Sequence, residues 1–181
     1  MGRRRSPQRA PLPAVRTELA ALRPGPDPLL LVCDGVEKPG NLGAMLRTAD
    51  AAGASAVIAT DPGTDWTNPN VVRASKGAVF AVPLVTATTA EALAWLAERD
   101  IPVLAATPEA PTRYTDLDLR GPLAIAVGEE KHGLSEAWLA AARWRALIPM
   151  RGRVDSLNVA TSAAILLYEA LRQRDRSEDL S

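Results

Sequence analysis

Apolar and polar positions follow two rhythms along the chain. Residues 29–33 form an unbroken apolar run of strand length, the signature of a strand buried on both faces. It ends at Asp34-Gly35, and from Leu42 the apolar spacing turns helical until Gly53, a natural C-terminal cap. Residues 55–59 read as a second short strand, 61–70 as turn-rich, and 68–77 as a short helix or extended turn. Residues 79–85 are strand-like, with Pro83 marking an edge strand or a strand end. Thr88-Thr89 caps a helix through Glu98, and an apolar strand follows at 101–106. After a loop opening at Thr107-Pro108, residues 123–127 form another buried strand. Ser135 then caps a helix to about Arg143, 146–148 is a last short strand, and 158–174 a closing helix. Strands alternating with helices predict an α/β fold, a parallel sheet covered on both faces. There is no internal repeat.

Composition narrows this further. At 181 residues the chain suits one domain with a substantial core, preceded by an arm at 1–28. Apolar residues reach 47% but aromatics only 4%, so Ala, Val and Leu fill the core, and few rings remain on which bases could stack. Net charge is zero but unevenly spread. Residues 1–28 hold six arginines (3, 4, 5, 9, 16 and 23) against Glu18 and Asp27, net +4, which leaves the body at −4. Any grip on phosphates is expected from the arm and from local arginine clusters, the alternative being a solvated basic tail. Six prolines break long helices in the arm, although 14–22 can hold a short one, and the arm is expected to order only against RNA or a partner subunit. Cys33, the single cysteine, sits in an apolar run and reads as a buried structural thiol, so neither a disulfide framework nor a metal site is expected. No stretch reaches membrane-spanning length, and the expected location is the cytoplasm.

Three segments carry candidate chemistry. The first is Asp34-Gly-Val-Glu-Lys-Pro-Gly40-Asn41-Leu42-Gly43, running into a helix with Arg47. The second is Ala126-Val-Gly128-Glu129-Glu130-Lys-His132-Gly-Leu-Ser135. The third is Ile148-Pro-Met150-Arg-Gly-Arg-Val-Asp-Ser156-Leu157-Asn158. Each joins a strand end to a polar loop, where open α/β sheets place ligands and helix-starting amides can face them. The plainer account of Ser156 or Asn158 is helix capping, and of Arg47 a solvated position on an amphipathic helix. The glycines at 35, 40 and 43 do not have dinucleotide-fold spacing, and there is no G-x-x-x-x-G-K-[ST] phosphate loop.

In order and spacing the three segments resemble the motifs of the SpoU, or TrmH-like, branch of the SPOUT RNA methyltransferases, over about residues 29–174. The resemblance implies a parallel-sheet α/β knot, with a deep C-terminal trefoil knot that periodicity alone would never suggest. It also implies S-adenosylmethionine as methyl donor, transfer to a ribose 2′-oxygen of structured RNA (tRNA or rRNA), and a homodimer packed through the terminal helix. The expected polar set is Asn41, Arg47, Glu130, Ser156 and Asn158. The expected cofactor contacts are Thr107, Gly128, Ile148, Met150 and Leu157. Arg73 and Lys76, with Arg47, are the expected RNA contacts. Guanidinium stays protonated at ordinary pH, so Arg47 is left open between general base and binder of a phosphate or developing alkoxide. Glu129 departs from the family's usual small or neutral residue, and His132 is not expected to be the base. Two alternatives stay open: a base-methylating relative and a non-catalytic RNA-binding relative.

Overall fold

The computed structural model describes residues 18–178 apart from Thr67. Seven parallel strands form one sheet in the order β3-β2-β1-β6-β4-β7-β5. The strands are β1 (Leu29–Asp34), β2 (Ala56–Thr60), β3 (Leu84–Ala87), β4 (Val103–Ala106), β5 (Thr112–Arg113), β6 (Leu123–Gly128) and β7 (Trp144–Leu147). The helices are α1 (Pro39–Ala51), α2 (Pro69–Ser75), α3 (Thr89–Ala97), α4 (Glu136–Ala141) and α5 (Val159–Glu178).

Side chains along a strand point alternately to opposite faces, so each continuous apolar run feeds two cores. Leu29, Leu31 and Cys33 of β1 join Leu123, Ile125 and Val127 of β6 beneath Leu42, Met45 and Leu46 of α1 and Leu166 and Leu167 of α5. Leu30 and Val32 join Ala124 and Ala126 on the other face, against Trp95 and Leu96 of α3 and Trp138 of α4. Truncating any of these buried leucines to alanine costs about 2–5 kcal/mol. Burial also pushes the Cys33 thiol up, well above the usual range, which suits an inert core thiol.

Several local expectations are met and a few are corrected. Thr88 caps α3 through a reciprocal capping box with Glu91. Asn68 caps α2, with Pro69 in its first turn. Pro39 likewise opens α1, so this helix begins three residues before Leu42. The strand expected over 79–85 starts only after Pro83. Residues Ala78–Phe80 instead form a 3₁₀ turn behind Lys76, whose φ of 49°, followed by Gly77, reverses the chain. The resulting β3 is an edge strand. The two-residue β5 was not anticipated; it is too short to carry a period.

The described end of the arm is docked rather than loose. Leu19–Ala21 form a 3₁₀ turn and Leu22 is buried in the α3–α4 core, so packed structure begins ahead of residue 29. Residues 1–17, with most of the arm's arginines and the start of its expected helix, lie outside the described residues. Among the described residues no helix is long and apolar enough to cross a membrane.

Candidate active site

The register brings the first two motifs to one edge. Asp34, the last residue of β1, pairs with Thr60 at the end of β2 on one side and with Gly128 at the end of β6 on the other. The loops that leave β1 and β6 therefore rise side by side at the carboxyl edge of the sheet, and the start of α5 meets them there.

Three side chains from the three motifs form a closed hydrogen-bonded cluster. Asn41 Nδ2 donates to Glu130 Oε1 at 3.0 Å. Asn158 Nδ2 donates to Asn41 Oδ1 at 3.0 Å and to Glu130 Oε1 at 2.9 Å. The second carboxylate oxygen of Glu130 accepts from Lys38. Asn158 also starts α5, its Oδ1 accepting from Ala160 N at 2.9 Å and its carbonyl from Ser162 N. Capping and clustering are thus performed by one residue, because its amide offers both a donor and an acceptor end. Ser156, the other capping candidate, is exposed and three residues ahead of the helix's first residue.

Glu130 is the hub. The Lys38 ammonium first, then the Asn41 and Asn158 amides, hold its carboxyl below its ordinary 4.5, only partly offset by desolvation. It stays ionised throughout the neutral range, and with its lone pairs engaged it is a poor proton acceptor. Its Oε1 accepts from both amides.

Beside this cluster lies a cavity of about 670 Å³, within the range of small-molecule sites. Thr107, Gly128, Ile148, Met150 and Leu157 all line it, as do Glu130 and Ser156. Ile148, Met150 and Leu157 are half-buried and present the apolar surface a flat heteroaromatic needs. Thr107 is fixed by its backbone N–H donating to Ala146 O at 3.0 Å, across the end of β7. Glu130 belongs to both cavity wall and cluster, so the two are adjoining parts of one site.

Gly128 has a structural reason of its own. A Cβ there would overlap the Gly133 carbonyl and the Leu134 amide, so the bare α-carbon admits the returning strand of its own loop. That return is secured by a bridge between Glu129 and Gly133 and by the positive φ of Gly133, 71°. Glu129 lines the cavity and pairs with the exposed His132.

Arg47 is not brought into the cluster. It follows Asn41 by six residues, which turns it about 120° around the helix axis rather than above it. It is exposed on the same side of α1 as Gly40 and Ala51. Arg73 and Lys76 are exposed on and just beyond α2. That helix lies so close to α1 that a Cβ at Gly43 would sit 2.8 Å from the Ala74 and Ser75 backbone. Lys38 and Asp34 were not singled out as functional residues. Lys38 gave no periodic signal, since it lies in the loop before Pro39, and Asp34 read only as a strand end.

Comparison with known proteins agrees with this geometry. The model of the SpoU rRNA Methylase family matches residues 28–168. The chain is 42% identical over 148 residues to the 23S rRNA (guanosine-2'-O-)-methyltransferase RlmB of Ralstonia nicotianae, an alignment covering 81% of this chain and 59% of that protein. A crystal structure of an RNA 2'-O ribose methyltransferase superposes with a TM-score of 0.79 at 54% identity, covering 83% of this chain and 58% of that one. The AdoMet-bound rRNA methyltransferase from Sinorhizobium meliloti superposes at 0.82 and 36% identity, covering 86% and 60%. The chain thus spans about three fifths of the length of these relatives. It has their SPOUT fold, the parallel-sheet α/β knot. With the family model matching most of its length and the three motif loops meeting at one edge of the sheet, the chain belongs to the SpoU rRNA methylase family.

Proposed function

We propose that the protein is an S-adenosylmethionine-dependent RNA 2′-O-ribose methyltransferase acting on structured RNA, with ribosomal RNA as its substrate class and a homodimer as its working form. The observation that carries this is the shared wall: the Glu130 carboxylate both lines the 670 Å³ cavity and ties Asn41 to Asn158. Methyl transfer needs a donor and an acceptor held in line, and adjoining sub-sites are the means of doing so.

The residues present suit the donor. Ile148, Met150 and Leu157 offer apolar walls for adenine, and Thr107 a polar edge. Glu109, Glu129, Glu130 and Asp155 against Lys131 give the lining an acidic balance that suits a cation. Bound there, the cofactor would supply an electrophilic methyl on its sulfonium, leaving as the neutral thioether, with the acceptor hydroxyl's proton passing to water. The chain's own contribution is orientation and charge. Ser156 and the amides of Asn41 and Asn158 position the acceptor hydroxyl, while Arg47, as a permanent cation, stabilises the developing alkoxide or holds the adjoining phosphate. Arg73 and Lys76 engage phosphates further along the RNA. For Arg47 to act, RNA or a second subunit must meet the exposed side of α1, which is one reason to read the working form as a dimer.

The test is nucleoside mass spectrometry after incubating the protein with unmodified ribosomal RNA and methyl-labelled cofactor. The expected product is a 2′-O-methyl nucleoside, with Arg47→Ala retaining cofactor binding and losing most turnover. Label on a base, or none on RNA, overturns the proposal.

A further inference from the structure

One buried carboxylate is unused by the chemistry above. Asp34 is 6% exposed, and its two oxygens face different parts of the fold. Oδ1 accepts from the Thr60 hydroxyl at 2.9 Å. Thr89 Oγ1 is a more distant neighbour at 3.3 Å, and its single hydrogen is better directed to Asp61 Oδ2 at 2.8 Å. Oδ2 accepts from the backbone N–H of Ser135 at 2.9 Å.

That last bond spans 101 residues and ends where the Gly128–Ser135 loop turns into α4. The loop leaves β6 at Gly128, beside Asp34 in register, and returns to Asp34 at Ser135. Its two ends are thereby fixed to one residue of β1, and everything between them lines the cavity or carries Glu130. Within the loop, the Glu129–His132 pair is exposed and weak, and the Glu129–Gly133 bridge ties the loop only to itself, not to β1. A hydrogen bond to a buried carboxylate is stronger, and losing it leaves a charge without its partner.

We infer that Asp34 is a positioning residue: it holds the second motif's loop so that Glu130 meets Asn41 and Asn158 and the cavity keeps its wall. The inference deepens the functional reading and rests on it for the cofactor arm of its test, though not for the structural arm. Asp34 acts through the Ser135 amide and touches no reacting atom.

Substitutions can separate the two oxygens. Ser135→Pro removes the N–H that reaches Oδ2 but sets its ring Cδ where that hydrogen was, against the carboxylate. It is therefore read beside the double variant Asp34→Ala/Ser135→Pro, which relieves the clash and should match Asp34→Ala. The native φ of −62° is one proline adopts, and the Ser135 side chain makes no capping bond to lose. Ser135→Ala keeps the N–H and serves as control. Thr60→Val removes the donor to Oδ1 alone. Asp34→Asn can turn its carbonyl toward Ser135 and so act as the conservative rescue of Asp34→Ala. Hydrogen–deuterium exchange of the ligand-free chain, read over residues 129–134, is compared with cofactor affinity by calorimetry. Ser135→Pro and Asp34→Ala are expected to speed exchange in this segment, and to weaken cofactor binding, each about tenfold. Thr60→Val, Ser135→Ala and Asp34→Asn should stay within about threefold of the parent chain in both measurements. Unchanged exchange in Ser135→Pro overturns the inference, as does equal loop opening in Thr60→Val or loop opening with undiminished cofactor affinity. Should Asp34→Ala fail to fold, Asp34→Ser, whose short hydroxyl falls short of the Ser135 amide, takes its place. If the parent chain itself binds no cofactor, the functional reading fails and the exchange data still decide the role of Asp34.

Discussion

Asn158 shows how a single side chain can satisfy a structural and a functional demand at once. Its carbonyl end caps α5 and its amino end reaches Asn41 and Glu130, so the two roles separate by chemistry rather than by position. Asn158→Asp keeps the capping oxygen but sets a second carboxylate against Glu130; it is expected to hold the parent melting temperature to within a few degrees and to lose most methyl transfer. Asn158→Ala loses the cap as well, costing about 1 kcal/mol of stability, measurable by thermal denaturation. Equal activity in the two parents of this comparison, the native chain and Asn158→Asp, would remove the amide from the site. Residue identities at 41, 130 and 158 were legible from the sequence because three motifs kept their order and spacing. What the sequence does not carry is the closing cation Lys38 and the bracing acid Asp34, since each depends on which loops stand side by side.

The pair α1 and α2 forms a unit in which small residues set the distance. Gly43 lets the Ala74–Ser75 backbone approach α1, and the unit carries Asn41 at one end and Arg73 and Lys76 on the neighbouring helix. Gly43→Ala would force the two helices apart, costing about 1–3 kcal/mol as overpacking does. RNA affinity is expected to fall in this variant while cofactor affinity holds, because none of the cavity's walls comes from α1 or α2. Filter binding and calorimetry on the same preparation check this, and parallel loss of both affinities would contradict it. Elements whose apolar period is long, such as β1, β6 and α5, could be read directly from the chain. The strand after Pro83 could not be bounded, because a 3₁₀ turn and a strand bury the same short apolar residues.

At the scale of the molecule, the sheet does the assembling. Its register sets Asp34 beside Gly128, and the closing helix delivers Asn158 to the same edge after packing along α1. Alternating strands and helices announced a parallel sheet, but apolar spacing reports which face is buried and not which loop a segment passes through. The strand order therefore came from the structure itself, and the knot from the motif resemblance and then the superposed relatives, neither of them from periodicity. One feature of the arrangement binds every scale together: cavity and cluster share a wall at Glu130, where the proposed donor and acceptor would meet. The most direct measurement is a crystal structure of the protein with S-adenosylmethionine. The account predicts adenine between the Thr107 loop and Ile148 and Leu157, with the sulfonium methyl turned toward the Asn41–Glu130–Asn158 cluster. Cofactor bound outside this cavity, or inside it with the methyl facing away from the cluster, would contradict the account.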